Sequence, residues 1–531
     1  MQSLSTGKTA NRQIAGATVT IMLAFILSQV FGLVRQVLAT RAFGTDPAMD
    51  AFTAAGTYPD LIFSLVASGA LASAFIPTFT GLLNRKDYRA AWHLASSIIN
   101  IIVVVLALLC LVSILIAPQI VATILAPRFP PAEQALCAQL LRIRLLAPVI
   151  FGISGLLMGI LNTHQRFLLP ALAPSMNWLG LILGLVFFVP TMGIYGYAWG
   201  AVLGALLHLA IQIPDLFRLS RRAYFLTFGL QDLKVRQVGI LMAPRVMGVA
   251  AVQLNFLVNT ILATGQPTGS TTAISVAWML LTVPEVVIAQ SIAIAALPTF
   301  SLQAARFELG EMRASLTATL RSVILLSLPA SLGLILLGRP LIVLFFQHGE
   351  FTAHSTDMVM WALLWYAMGL VGHSVVEVTS RAFYAMQDTR TPVITTTIAM
   401  AINVLLSLLF SWLFSQVGWA PHGGLALANS LATTLEAATL LVLMRRRLKG
   451  LGGRSLLGGL GQAALATGVM GLAVWGWVAF TPSLHSLIVV GLGLVIGGGS
   501  YFLVTWLLKV PELILLAHWI NRHARDVLMR A

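Results

Sequence analysis

LSQVFGLVRQVLAT, residues 27–40, returns 224 positions later as AVQLNFLVNTILAT, residues 251–264. Gln29 meets Gln253, Leu33-Val34 meets Leu257-Val258, and Leu38-Ala39-Thr40 meets Leu262-Ala263-Thr264. Nearby offsets carry Pro59-Asp60 onto Pro284-Glu285, AFIPTF (74–79) onto AALPTF (295–300), and Pro170 onto Pro392. Matches of Leu, Val and Ala between apolar helices arise easily by chance. Shared Gln, Pro and acidic positions do not, so the chain reads as two copies of one unit.

Working outward, the copies lie in a chain of 531 residues that is 58% hydrophobic and 9% charged, with a mean hydropathy of +0.91. Soluble domains carry about 25% charged residues. The composition predicts an all-α polytopic membrane protein and leaves no room for a folded catalytic module outside the bilayer. Apolar runs long enough to span occur near 15–39, 52–82, 92–117, 136–162, 170–190 and 193–213. A basic segment follows, and then runs near 238–264, 271–300, 317–346, 356–386, 391–414, 421–444, 457–480 and 485–508. These make fourteen predicted transmembrane helices. Six helices per repeat preserve orientation, so the copies are expected as pseudo-symmetric six-helix lobes related by an axis along the membrane normal, around a cavity. The expected domains are 1–213, a cytoplasmic linker 214–237, a second lobe 238–444, and 445–531 with two extra helices and a tail.

The net charge of +15 follows topology. Basic loops stay cytoplasmic, and Lys and Arg fall on the tails and alternate connections, with Arg41, Arg128 and Arg339 opposite. Both termini are therefore expected in the cytoplasm, and nucleic acid is not an expected partner. Cys110 and Cys137 sit in apolar or amphipathic stretches and suggest neither a disulfide nor a zinc site. Gly7-Lys8-Thr9 lacks the preceding glycine and strand of a phosphate loop, so no nucleotide site or other cofactor is expected.

Ionisable groups inside spans are costly, and they normally face a cavity or a partner. Arg35 and Gln29 on the first helix are the sharpest candidates, with Asp60 as a counter-ion and Glu285 as its repeat mate. Arg245, Asn255 and Asn259 on the seventh helix join them as candidate substrate contacts. Asp60 and Glu285 could equally satisfy freed backbone donors at a proline kink. Arg142 and Arg144, read as lying near a helix start, are expected to snorkel in preference to the alternative, contact with a ligand. His373 and Glu377 share a helix face at i, i+4, as a buried pair or a proton relay. Asn403 and Asn429 offer neutral oxygens to a monovalent cation.

Six stretches, SQVFGLVRQVLATRAFG (28–44), MDAF (49–52), SGALASAFIP (68–77), LNTHQRFLLPALAPSMN (161–177), FQHGEFTA (346–353) and RAFYAMQDTRTPV (381–393), together resemble the MurJ/MviN family. That resemblance, over nearly the whole chain, implies a multidrug/oligosaccharidyl-lipid/polysaccharide exporter fold in the bacterial cytoplasmic membrane. It also implies translocation of lipid II, an undecaprenyl-pyrophosphate-linked glycan, with the bilayer and cell-wall synthesis proteins as partners. Arg35 and Asp50 match the family's helix-1 Arg and following Asp. Gln29, Ser64, Trp278 and Met279 stand where the family carries charge. Three functions follow: a lipid II flippase working by alternating access; a flippase for another polyprenyl-linked glycan, or a cation-coupled exporter; and a non-transporting membrane scaffold. The coupling ion is not specified by any motif.

Overall fold

The computed structural model describes residues 24, 26–67, 69–220, 222–481 and 484–510. Both basic tails, and the start of the first predicted span, lie outside the described residues. All regular structure among them is helical. Ten helices are long and apolar enough to cross a membrane, or eleven if Ala353–Ala367 and Leu370–Ala385, bent by 47°, count as one span. With the bent pair counted, these coincide with all the predicted segments except the first, second and seventh, whose described residues are helical. The chain divides into two compact units, residues 1–272 with 349–351, and residues 273–348 with 352–531.

In the first unit, α1 covers residues 26–43. It is followed by α2 (Pro47–Ala67), α3 (Gly69–Asn84), α4 (Tyr88–Leu115), α5 (Pro131–Arg144), α6 (Ala147–Thr163), α7 (Leu168–Leu183), α8 (Ile194–Ala210) and α9 (Leu233–Thr264). The run predicted over 52–82 is helical on both sides of residue 68, which lies outside the described residues. The run predicted from 136 starts at Pro131 and breaks at Arg144, because Pro148 pre-sets the first turn of a new helix. Arg142 and Arg144 therefore end a helix.

Polar side chains fix several entries. Asp87 accepts from Ala90 N at 3.1 Å to cap α4, and Asp232 accepts from Lys234 N at 2.8 Å to cap α9. Between α7 and α8 the backbones nearly touch, since a Cβ on Gly180 would lie 2.2 Å from Gly204 Cα. This small-residue seam is a means of association where lipid tails are as apolar as the helices. α9 packs on α2 and α3, so the seventh predicted span is built into the same compact unit as the first six.

The second unit contains most of α10 (Ser270–Pro284), then α11 (Ser291–Ala305), α12 (Leu309–Phe346), α13 (Ala353–Ala367), α14 (Leu370–Ala385), α15 (Arg390–Gln416), α16 (His422–Arg447), α17 (Gly453–Phe480) and α18 (Ser486–Leu507). After Pro284 the chain widens into a π-helical turn, Glu285–Gln290. Proline lacks the N–H and crowds the preceding turn, which favours such a bulge. Its repeat mate Pro59 stays inside the α-helical α2.

Candidate functional site

α1, α2, α5, α7 and α8 bring two arginines of the first unit to one group of aromatic rings. Arg35 on α1 donates from Nη1 to the Tyr197 hydroxyl at 2.9 Å, and its guanidinium lies 5.0 Å from the Trp178 ring centre. Trp178 is oriented by its own Nε1–H, donated to Ser28 Oγ at 3.1 Å. Tyr197 is fully buried and stacks on Phe52 with ring centres 4.0 Å apart. The Arg144 guanidinium lies 4.6 Å from the Phe52 ring centre and donates to Phe52 O at 3.1 Å. Cation–π contacts and charge-assisted bonds to a carbonyl both favour a desolvated guanidinium.

Gly56 makes this arrangement possible. A Cβ there would fall 2.0 Å from Arg144 Nη1, so the guanidinium occupies the space of the missing side chain on α2. From that seat Arg144 Nη2 reaches Asp60 Oδ2 at 3.6 Å. The Asp60 side chain is 70% exposed and that of Arg144 14%, so the pair opens on the cavity at its carboxylate end. An anionic ligand can reach the pair from that side. Asp60 and Arg144 line a cavity of about 120 Å³ with Pro59, Phe63, Phe151, Asn177 and Trp178. At roughly 30 Å³ per water, it holds a few waters or a comparably small group. Arg35 Nε is buried without a hydrogen-bond partner, leaving one donor of the fork unused.

Of the predicted candidates, Arg35 and Asp60 belong to this cluster. Arg144, expected to snorkel, is its second cation: its side chain is 14% exposed and turned onto Phe52. Arg142 does lie exposed and donates to Ile114 O at 3.2 Å. Gln29 is exposed on α1. Asn255 is buried and accepts from Asn259 Nδ2 at 3.1 Å, within α9. The Arg245 side chain lies outside the described residues.

Asp50 is elsewhere. It is 2% exposed and accepts from Gly269 N at 2.6 Å, Thr272 N at 2.8 Å and Thr272 Oγ1 at 2.6 Å. These bonds tie the first turn of α2 to the turn that opens α10. Tyr197, Phe52, Trp178 and Gly56 escaped the sequence reading because aromatic and small residues are ordinary helix-packing material. The polar interruption of Trp178 by Asn177 was the only available signal.

In the second unit the candidates are dispersed among local partners. His373 Nε2 lies 3.1 Å from Asn429 Oδ1, while Glu377 pairs with Arg381. The i, i+4 spacing of His373 and Glu377 therefore does not make a pair. Glu436, 8% exposed, accepts from Thr396 Oγ1, and Asn403 accepts from Ser407 Oγ at 2.9 Å. Trp278 makes edge contacts with Tyr366 and His373, at 5.3 and 5.5 Å between ring centres. No cluster with metal-ligand composition occurs among the described residues. A larger, apolar groove of about 460 Å³ runs beside Pro284, Leu334, Leu337, Met470, Val474 and Gly493.

The family model described as "Lipid II flippase MurJ" matches residues 39–495. The lipid II flippase MurJ of Burkholderia cenocepacia is 31% identical over 81% of this chain and 84% of its own length. A probable lipid II flippase MurJ of Vibrio cholerae is 28% identical over 81% and 83%. Among solved structures, a lipid II flippase MurJ in an inward closed conformation superposes with a TM-score of 0.80 at 23% identity, covering 93% of this chain and all of that one. An inward-facing MATE-family multidrug transporter of the MOP superfamily gives 0.67 at 14% identity, covering 82% and 98%.

Proposed function

The chain belongs to the MurJ lipid II flippase family, and from that premise we propose that it moves lipid II from the cytoplasmic to the outer leaflet of a bacterial inner membrane by alternating access. The observation that carries the reading is a cavity lined by Arg144 and by the carboxylate it pairs with, Asp60, with a second aromatic-seated arginine, Arg35, beside it on the lining residue Trp178. A diphosphate cannot cross about 30 Å of hydrocarbon unaided. Two planar forks suit its oxygens better than point charges do, and displacement of Asp60 would free Arg144 for it.

The same reading has fourteen spanning helices in two six-helix lobes with two appended, both termini in the cytoplasm, and Gln29, Asn255, Asn259 and Arg245 as further polar contacts. Asp50 acts in it by holding backbone. Cell-wall synthesis proteins are the partners such a step would have. Gln29, Ser64, Trp278 and Met279, uncharged where the family carries charge, favour a second reading in which the cargo is another polyprenyl-linked glycan. Depleting the resident flippase of a bacterium and expressing this chain separates them. Growth with restored lipid II exposure at the outer leaflet is expected. A well-expressed chain that restores neither overturns lipid II as cargo.

A further inference from the structure

Between the last turn of the Ile194–Phe217 span and α9 the chain is not helical. Residues 222–229 have no regular secondary structure and lie against α4. One side of this strap is bolted down. Asn100 Nδ2 donates to Phe225 O at 3.0 Å and to Thr227 O at 2.8 Å, Phe225 N donates to Ser96 Oγ at 3.1 Å, and the Tyr224 hydroxyl donates to Asn100 Oδ1. Gly229 has φ +54°, and a Cβ there would lie 2.5 Å from Ser97 Oγ.

Exposure alternates along the strap, and its open positions are Tyr224, whose hydroxyl reaches back to Asn100, and Leu226, Phe228 and Leu230. They are 63, 91, 48 and 74% exposed. A continuous apolar row of this kind needs a cover.

Depth and charge identify the cover. The apolar run of α4 from Ile98 to Leu115 spans about 27 Å at 1.5 Å per residue, which matches the hydrocarbon core. Asn100 and Ser96 lie at the end of that run, next to His93, Arg89 and Lys86, so the strap sits at the boundary between hydrocarbon and headgroups. Exposed Arg218 and Arg222 precede it, and Lys234 and Arg236 follow. The nearby acids are already engaged: Asp215 lies 3.4 Å from Arg218, and Asp232 caps α9 and lies 3.8 Å from His93.

We propose that residues 217–220 and 222–236 form an interfacial site for the bilayer's own acidic phospholipid, with the open Tyr224–Leu230 positions in the acyl boundary and the flanking cations on the headgroup phosphate. Such a site lies outside the Asp60–Arg144 cavity and does not depend on the cargo. It adds to the juxtamembrane attraction that basic residues exert on anionic lipid.

The full-length protein tests it, with a bimane label on Leu226→Cys; the native Cys110 and Cys137 are buried and free. The labelled chain is placed in vesicles of phosphatidylcholine, with or without phosphatidylglycerol. A nitroxide carried on lipid should quench the label several-fold more than aqueous iodide does. Iodide quenching without lipid quenching overturns the site and marks the row as free for a protein partner. Phosphatidylglycerol retained per unlabelled chain, read by native mass spectrometry, should fall roughly tenfold in the Arg222→Gln/Arg236→Gln variant. Equal retention by that variant overturns the acidic-lipid assignment. If the variant does not fold, the unmutated chain decides: preference for phosphatidylglycerol over phosphatidylcholine is expected, and indifference overturns the proposal.

Discussion

Pro59-Asp60 and Pro284-Glu285 are one sequence motif in two settings. In the first unit the proline is absorbed by a continuing α-helix, and the acid faces a cavity beside Arg144. In the second, the proline opens a π-turn, and Glu285 lies within electrostatic range of another acid, Glu377. The surroundings follow the same split. In the first unit Arg35 and Arg144 sit on the Trp178 and Phe52 rings, whereas in the second the acids and amides Glu377, Glu436 and Asn403 are held by Arg381, Thr396 and Ser407. One sequence motif therefore sits in two chemical settings, and under the proposed function the headgroup contacts fall where the guanidinium groups are seated.

The largest test of that asymmetry removes the cations. Arg35→Ala and Arg144→Ala should each lose a charge-assisted contact of about 1.5–3 kcal/mol, a tenfold to hundredfold loss in headgroup affinity. Glu285→Gln should leave transport per folded molecule nearly unchanged. Reconstituted translocation normalised to folded protein is the measurement. Equal losses in all three variants would abolish the distinction between the units. Arg144→Lys should recover only part of the loss, since a point charge lacks the fork.

Asp50→Asn addresses the other family-matched residue, with a smaller effect and in stability. The amide would set a donor against Gly269 N or Thr272 N in a site that is 2% exposed, at a cost of about 1–3 kcal/mol. Thermal unfolding should move down while transport per folded chain holds. The reverse pattern would place Asp50 at the cargo.

Gly56→Ala is a milder way to move Arg144 than deleting it. The new methyl must displace the guanidinium, at 2.0 Å from Nη1, so Arg144 loses its bond to Phe52 O and its reach to Asp60. About a tenfold loss of affinity is expected, with no further loss when Gly56→Ala is combined with Arg144→Ala. Additive losses would show that Gly56 acts independently of Arg144.

Membrane character and helix placement were legible because about 20 apolar residues are an unavoidable length for a span. Arg35 and Asp60 were legible because charge in such a run is costly. Arg144 was misread through a helix boundary: with the helix starting at 136 it sat near an end facing headgroups, whereas the break before Pro148 turns it inward. The role of Gly56 depends on a neighbour 88 positions away, and no local pattern carries that. Nor could spacing separate His373 from Glu377, because i, i+4 geometry permits a pair without excluding Asn429 and Arg381 as better partners.

Asp388 gives the smallest effect and isolates the second unit's habit of engaging its acids. It lies between α14 and α15, outside the spans. Burial acts to raise its pKa, but hydrogen bonds from Thr391 N at 3.0 Å and Thr391 Oγ1 at 2.7 Å, with the Arg447 ion pair, outweigh burial and hold the carboxyl below its ordinary 3.8. A depressed folded pKa means that the carboxylate stabilises the fold fully above the unfolded value near 3.8 and loses this contribution as pH falls through the lower, folded value. Asp388→Asn lacks the charge at every pH. The unfolding temperature of the native chain should therefore exceed that of the variant by a constant margin above about pH 5, and the margin should close as acid protonates Asp388. A margin that persists undiminished well below pH 3.8 would show that shape, not charge, is what Arg447 and Thr391 recognise, and Asp388 would leave the set of electrostatically engaged acids.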